Sequence, residues 1–262
     1  EYNISCTGCM EIFASTYDPG NIFSDPDQCQ YTENVITTSA DQAYSVYAVD
    51  IDGDGDMDVL SASYYDDTIA WYENDGSESF TKIDITTSAN GARSVYAVDV
   101  DGDGDMDVLS ASYMDDKIAW YENDGNESFT EHVITTNANG TYSVYAVDVD
   151  GDGDMDVLSA SKNDDKIAWY ENDGSESFTE HVITTSADGA HSVYAVDADG
   201  DGDMDVLSAS KGDNKIAWYE NDGSESFTTH IITTNANEAY SVYAVDVDGD
   251  GDMDVLSASY YD

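Results

Sequence analysis

The chain has 262 residues, with 57 acidic side chains against 7 basic ones and a formal charge of −50. That charge makes nucleic acid and anionic membrane surfaces poor partners, and no apolar run reaches the roughly 18 residues of a membrane-spanning helix. Strong acidity often marks disorder, but 40% hydrophobic and 11% aromatic residues, arranged in short strand-like runs, argue for a folded protein.

Residues 1–30 form a non-repeating arm that holds all three cysteines, Cys6, Cys9 and Cys29. C-x-x-C can mark zinc or redox chemistry, yet no second C-x-x-C or suitably spaced His follows. One disulfide within the chain is the simpler reading. The third thiol then stays free, bonds another subunit, or pairs with a residue beyond this chain. The first residue is Glu, which suits a mature chain after signal removal and equally a fragment boundary.

From residue 31 to 262 the chain is a tandem repeat. The ladder D-x-D-G-D-G-D-M-D recurs five times at 49-residue intervals. It contributes Asp50, Asp52, Asp54, Asp56 and Asp58; Asp99, Asp101, Asp103, Asp105 and Asp107; and Asp148, Asp150, Asp152, Asp154 and Asp156. The last two copies are Asp197, Asp199, Asp201, Asp203 and Asp205, then Asp246, Asp248, Asp250, Asp252 and Asp254. Five carboxylates in nine residues repel one another unless a cation lies between them. Ca²⁺ accepts about 6–8 oxygen ligands, and glycine at the sixth position permits the tight turn such a loop needs. One Ca²⁺ per ladder, five in all, is therefore expected. These ions would return only +10 of charge, so the protein stays strongly anionic.

Within one repeat, S-V-Y-A-V alternates and is β-branched and aromatic, the pattern of a first strand. V-L-S-A-S after the ladder is the second, and K-I-A-W-Y-E the third. Asn-Asp-Gly gives a tight turn, and S-F-T-E-H-V-I-T-T the fourth strand. Strands flank the loop and Ser61 stands where an EF-hand would place its Glu, so a helix–loop–helix site is excluded. Four strands repeated every 49 residues point to propeller blades.

These motifs resemble the FG-GAP/VCBS repeat family, whose integrin-α-like β-propellers carry D-x-D-G-D-x-x-D calcium loops between the first two strands of a blade. The resemblance implies that Asp50, Asp52, Asp54 and Asp58 ligate through side chains and Asp56 through its carbonyl. The same roles transfer to the ladders beginning at Asp99, Asp148, Asp197 and Asp246. Family propellers commonly have seven blades, a count from which this chain departs.

The expected fold is all-β, a propeller of four-stranded antiparallel blades. The first half-blade occurs five times but the Trp-bearing third strand four times, the chain ending at Asp262 where a fifth would begin. Residues 31–38 match a fourth strand, and residues 12–20 loosely match a third strand and its turn. A five-bladed ring closed by joining these N-terminal pieces to the C-terminal half-blade is one reading. A truncated larger propeller is another, and donation of the N-terminal strand to a neighbouring subunit a third.

Antiparallel order puts the ladders and Asn-Asp-Gly turns on one face of the propeller. On the other face the copies differ, with Tyr44, Arg93, Tyr142, His191 and Tyr240 before the first strand. Tyr64, Tyr65 and Tyr113 follow the second strand there. Interfaces favour Tyr and Arg, so this face is expected to contact a partner, the alternative being drift in exposed loops. Trp71, Trp120, Trp169 and Trp218 read as packing between blades rather than sugar stacking, and His132, His181 and His230 as exposed strand positions.

Sequons at Asn3, Asn126 and Asn139 are candidate glycan sites. With the calcium loops they point to a secreted or cell-surface location. No nucleophile elbow, phosphate loop or metal-hydrolase motif is present, and Asp pairs suited to glycoside hydrolysis are better explained by a shared cation. The expectation is a non-enzymatic structural or adhesive protein, a candidate fibre subunit acting through self-assembly or an extracellular protein ligand. A carbohydrate-binding lectin is the alternative.

Overall fold

The computed structural model describes residues 33–261. It divides into a unit Glu1–Thr38 and a unit Ser39–Asp262. Of the first, 33–37 carry no strand and Thr38 is a bend. This corrects the expected fourth strand there. In the complete repeats that strand takes its ladder from a preceding third strand, and none precedes it among the described residues. Cys6, Cys9, Cys29, Asn3 and the strand-like residues 12–20 lie outside the described residues.

The second unit is a succession of antiparallel sheets. The first holds β1 (Ala43–Val49), β2 (Asp58–Ser63), β3 (Thr68–Asn74) and β4 (Phe80–Thr86) in sequence order. The second holds β5 (Ala92–Val98), β6 (Asp107–Ser112), β7 (Lys117–Asn123) and β8 (Phe129–Thr135). The third holds β9 (Thr141–Val147), β10 (Asp156–Ser161), β11 (Lys166–Asn172) and β12 (Phe178–Thr184). The fourth holds β13 (Ala190–Val196), β14 (Asp205–Ser210), β15 (Lys215–Asn221) and β16 (Phe227–Thr233). A two-stranded sheet of β17 (Ala239–Val245) and β18 (Asp254–Ser259) follows. The sequence pattern thus located each of these strands to within two residues at either end, leaving out the two residues before each S-V-Y-A-V, the Asp that starts each second strand and the Asn that ends each third.

Burial follows position in the sheet. The middle strands are covered on both faces, so their small and apolar side chains, such as those of β6, are wholly buried. The outer strand β8 alternates in exposure. Neighbouring sheets stack face to face, and each stack makes one core. Leu60, Ala62, Ile69 and Trp71 on the back of the first sheet meet Val95, Ala97, Ala119 and Tyr121 on the front of the second. Equivalent cores form at the next two seams, and a smaller one against β17.

Two further rows tie the seams. Tyr47, Tyr96, Tyr145, Tyr194 and Tyr243 stack in series with ring centroids 4.7–5.0 Å apart. Ser45 Oγ accepts from the Val95 amide of the next sheet at 3.3 Å, and this bond recurs at Ser94, Ser143 and Ser192. Trp71, Trp120 and Trp169 are fully buried, as the packing reading expected. Trp71 meets Phe129 of the following sheet edge-on at 6.3 Å. Trp218 has no such Phe after it among the described residues and is only half-buried. Trp120→Ala should therefore cost about 3–5 kcal/mol and Trp218→Ala measurably less, read by denaturant unfolding; equal losses would contradict the seam account.

Candidate metal centre

The ladder between β5 and β6 shows how each loop is built. The Gly102 and Gly104 amides donate to the two oxygens of Asp99 at 2.7 and 3.0 Å. Gly104 has φ +100°, a conformation that disfavours other residues although a Cβ there would meet nothing. Asp107, at the ladder's ninth position, is buried as the first residue of β6. Its carboxylate accepts from the Val100 amide at 2.9 Å and from the Asn123 amide at the end of β7 at 2.8 Å. The loop is thus folded back onto two strands by one buried carboxylate.

The result is a triad. Asp99, Asp101 and Asp107 each bring a carboxylate oxygen within 4.8 Å of the others. The same triad forms at Asp50, Asp52, Asp58; at Asp148, Asp150, Asp156; and at Asp197, Asp199, Asp205. Among the described residues no ion pair reaches any of these carboxylates. Burial, followed by repulsion from Asp101 and Asp103, pushes Asp107 up to about 7. Asp156 reaches about 7 for the same reason, and burial raises Asp58 and Asp205. Three hard oxygens facing one another with no positive partner form a donor set suited to a hard divalent cation.

Not every ladder aspartate joins the triad. At the fifth position, Asp103 accepts from the Asp105 amide at 2.9 Å, and Asp54, Asp152 and Asp201 do likewise. At the seventh, Asp105 leans on the Asn-Asp-Gly turn, where a Cβ on Gly125 would collide with its carboxylate. That placement agrees with a role for its carbonyl rather than its side chain. The last loop differs, grouping Asp246, Asp248 and Asp250. Asp254 accepts there from Val247 at 3.0 Å but has no Asn amide among the described residues to draw it inward.

The sequence reading missed the residue that joins loop to seam. Asn123 Nδ2 donates to the Met106 carbonyl at 3.2 Å and, across the seam, to the Ile51 carbonyl in the preceding ladder at 3.3 Å. Asn172 and Asn221 repeat this bridge to Val100 and Val149. Its sequence signal was the fixed Asn that ends every W-Y-E-N. The histidines are also misread by sequence alone. His132 is half-buried, stacked on Trp120 at 4.5 Å and bonded to Glu122 at 2.8 Å, and His181 and His230 repeat the arrangement.

On the opposite face, Tyr44, Arg93, Tyr142, His191 and Tyr240 pack largely on one another. The Arg93 guanidinium lies over Tyr44 at 3.8 Å, Tyr64 at 4.4 Å, Tyr142 at 4.5 Å and Tyr113 at 5.4 Å. His191 sits between Tyr142 and Tyr240, and burial lowers its pKa to about 4. Tyr44, Tyr65 and Tyr240 remain exposed. Asn126 and Asn139 are exposed as well, but Thr141 of the second sequon is buried.

The raised carboxylates set the pH response of chelated protein. A carboxyl with an unfolded pKa of about 3.9 and a folded value of about 7 stabilises the fold when protonated, and that contribution fades as pH rises through 7. The melting temperature in excess chelator should fall between pH 5 and 8, and Asp107→Asn should flatten part of that fall. A rise over this range would contradict the assignment.

The FG-GAP-like repeat family matches the chain at residues 50–110, 99–159, 148–208 and 197–257. No curated relative matches it. Among solved structures, an Agrocybe aegerita lectin recognising non-reducing terminal N-acetylglucosamine is similar at 17% identity and TM-score 0.58, over 82% of this chain and 60% of the lectin. A functionally unknown protein of Desulfotomaculum acetoxidans is similar at 12% identity and TM-score 0.55, over 78% of this chain and 59% of that one. The V. cholerae biofilm matrix protein Bap1 matches at 18% identity and TM-score 0.52, over 87% of this chain and 37% of its own. The chain thus spans about 60% of the length of the first two structures, and at these identities the likeness concerns the fold alone. With tandem matches running from residue 50 to residue 257, the chain belongs to the FG-GAP-like repeat family.

Proposed function

We propose that this is a non-enzymatic, extracellular structural protein whose ladders each hold one Ca²⁺ and whose stacked sheets form a rigid adhesive or fibre-building body. The observation that carries the reading is the carboxylate triad repeated in four loops with no positive partner, and its variant in the fifth. Asp99, Asp101 and Asp107, with their equivalents, would hold the ion. The Asp105 carbonyl would join them, and Asp103, which accepts the Asp105 amide through one carboxylate oxygen, keeps the other for the ion.

An extracellular setting supplies the millimolar Ca²⁺ that such loops use. Near-identical seams suit a load-bearing body more than a single reactive pocket. One protein of similar fold is a biofilm matrix protein. A second reading, a lectin, is favoured by the fold shared with an N-acetylglucosamine-binding protein and by the exposed Tyr240 and Tyr260 beside Lys211. Glycan-array binding by protein held monomeric would favour it over the structural reading.

Titration calorimetry of chelator-stripped protein should show about five Ca²⁺ per chain, and Asp101→Asn should remove one. For each site, Ca²⁺ at a hundred times its Kd adds about 2.7 kcal/mol of stability, so chelation should lower the melting temperature sharply. An unchanged melting temperature in chelator, with no calcium bound at millimolar concentration, would overturn the proposal.

A further inference from the structure

The two ends of the sheet stack carry the two halves of the seam that joins sheets inside it. Val46 on the front of the first sheet is 69% exposed, whereas its equivalents Val95, Val144, Val193 and Val242 are each 4% exposed. Leu256 on the back of β18 is 43% exposed, whereas Leu60, Leu109, Leu158 and Leu207 are fully buried by the sheet that follows. Tyr243, the last ring of the tyrosine row, is exposed where Tyr96, Tyr145 and Tyr194 each have a ring on both sides.

The polar groups match in the same way. Each inner seam pairs a Ser Oγ with the next Val amide, and Ser241 stands ready for such an amide at the back end. Each inner seam also sends an Asn Nδ2 to a ladder carbonyl of the preceding sheet. Asn74, at the front end, bonds only its own Met57 carbonyl through that nitrogen among the described residues. At the back end Val247, the counterpart of Ile51, is 63% exposed. Among the described residues, the front is exposed at Val46 and the back at Leu256 and Val247.

We propose that the front of β1 docks on the back of β17 and β18 of a second copy, repeating the internal seam between molecules. Val46 enters the site beside Leu256 and Ala258, Tyr47 extends the row past Tyr243, and Ser241 and the Val247 carbonyl take the Val46 amide and Asn74. The contact centres on β1, because Ala70 and Tyr72 on the same face are already buried. It is head-to-tail, with different patches on the two partners, so a rotation that fails to close produces a helical filament. At a net charge of −50, Ca²⁺ and added salt favour docking by relieving repulsion. This rests on the structural reading above and names its interface.

The test uses the 262-residue chain in calcium buffer, followed by sedimentation velocity and negative-stain microscopy. Wild type should form filaments, and Val46→Asp and Leu256→Asp should each leave monomers with unchanged circular dichroism and calcium stoichiometry. Mixing the two variants should give discrete dimers and nothing longer, since only the sound back of one and the sound front of the other can meet. Filaments from both single variants would overturn this seam while leaving the fibre reading standing. A wild-type monomer at every concentration would overturn both, whether its end amides are protected by closure within the chain or exchange freely. Monomeric single variants whose mixture gives no dimer would also overturn the head-to-tail geometry.

Discussion

A single buried carboxylate organises each of the four complete repeats. Asp107 and its counterparts at Asp58, Asp156 and Asp205 start a central strand, sit out of solvent, and accept one amide from their own ladder and another from the third strand. Removing a carboxylate from water is costly unless its charge is met, and two neighbouring carboxylates raise that cost. Among the described residues no positive side chain is placed to meet it, so the proposed divalent cation resolves an electrostatic conflict built into the loop. The backbone amides fix where the oxygens lie, and the ion would remove the reason for them to separate.

That local arrangement reaches the neighbouring sheet through Asn123, Asn172 and Asn221. Each holds the buried Asp of its own sheet through its backbone amide and the ladder of the preceding sheet through its side chain. Apolar packing supplies most of the seam's free energy, with Leu, Val and Trp buried at every internal junction. The asparagine sets the alignment in which that packing occurs. Loop order and sheet stacking are therefore coupled, and the same coupling is available wherever the front of one sheet meets the back of another.

Much of this was legible in the sequence because period two and the 49-residue repeat are local signals. Strand order, the two-stranded last sheet, the ladder loops and the packing role of the tryptophans all follow from them. Side-chain pairing across strands does not. His132 meets Trp120 only because the β7–β8 register, with its irregularity between Ile118 and Ala119, sets them opposite each other. The tyrosine row and the Asn bridge depend on how far one sheet is turned against the next, which no spacing within a repeat encodes. Residues 31–38 resembled a fourth strand by composition, but a strand also needs a neighbouring strand to pair with, and 33–37 form no strand in the structure. Asp103 was grouped with the ligands by family likeness; one of its carboxylate oxygens accepts from the Asp105 amide, a pairing no spacing announces.

Hydrogen exchange at the seam amides, followed with and without calcium, reaches the central claim most directly. If ladder charge and sheet stacking are coupled, chelation should speed exchange at Asn123 and Asn172 and at Val95 and Val144, which bond across the seam. Exchange should remain slow at all four when calcium is present. Equal protection at these amides in the two conditions, in protein with no bound metal, would contradict it.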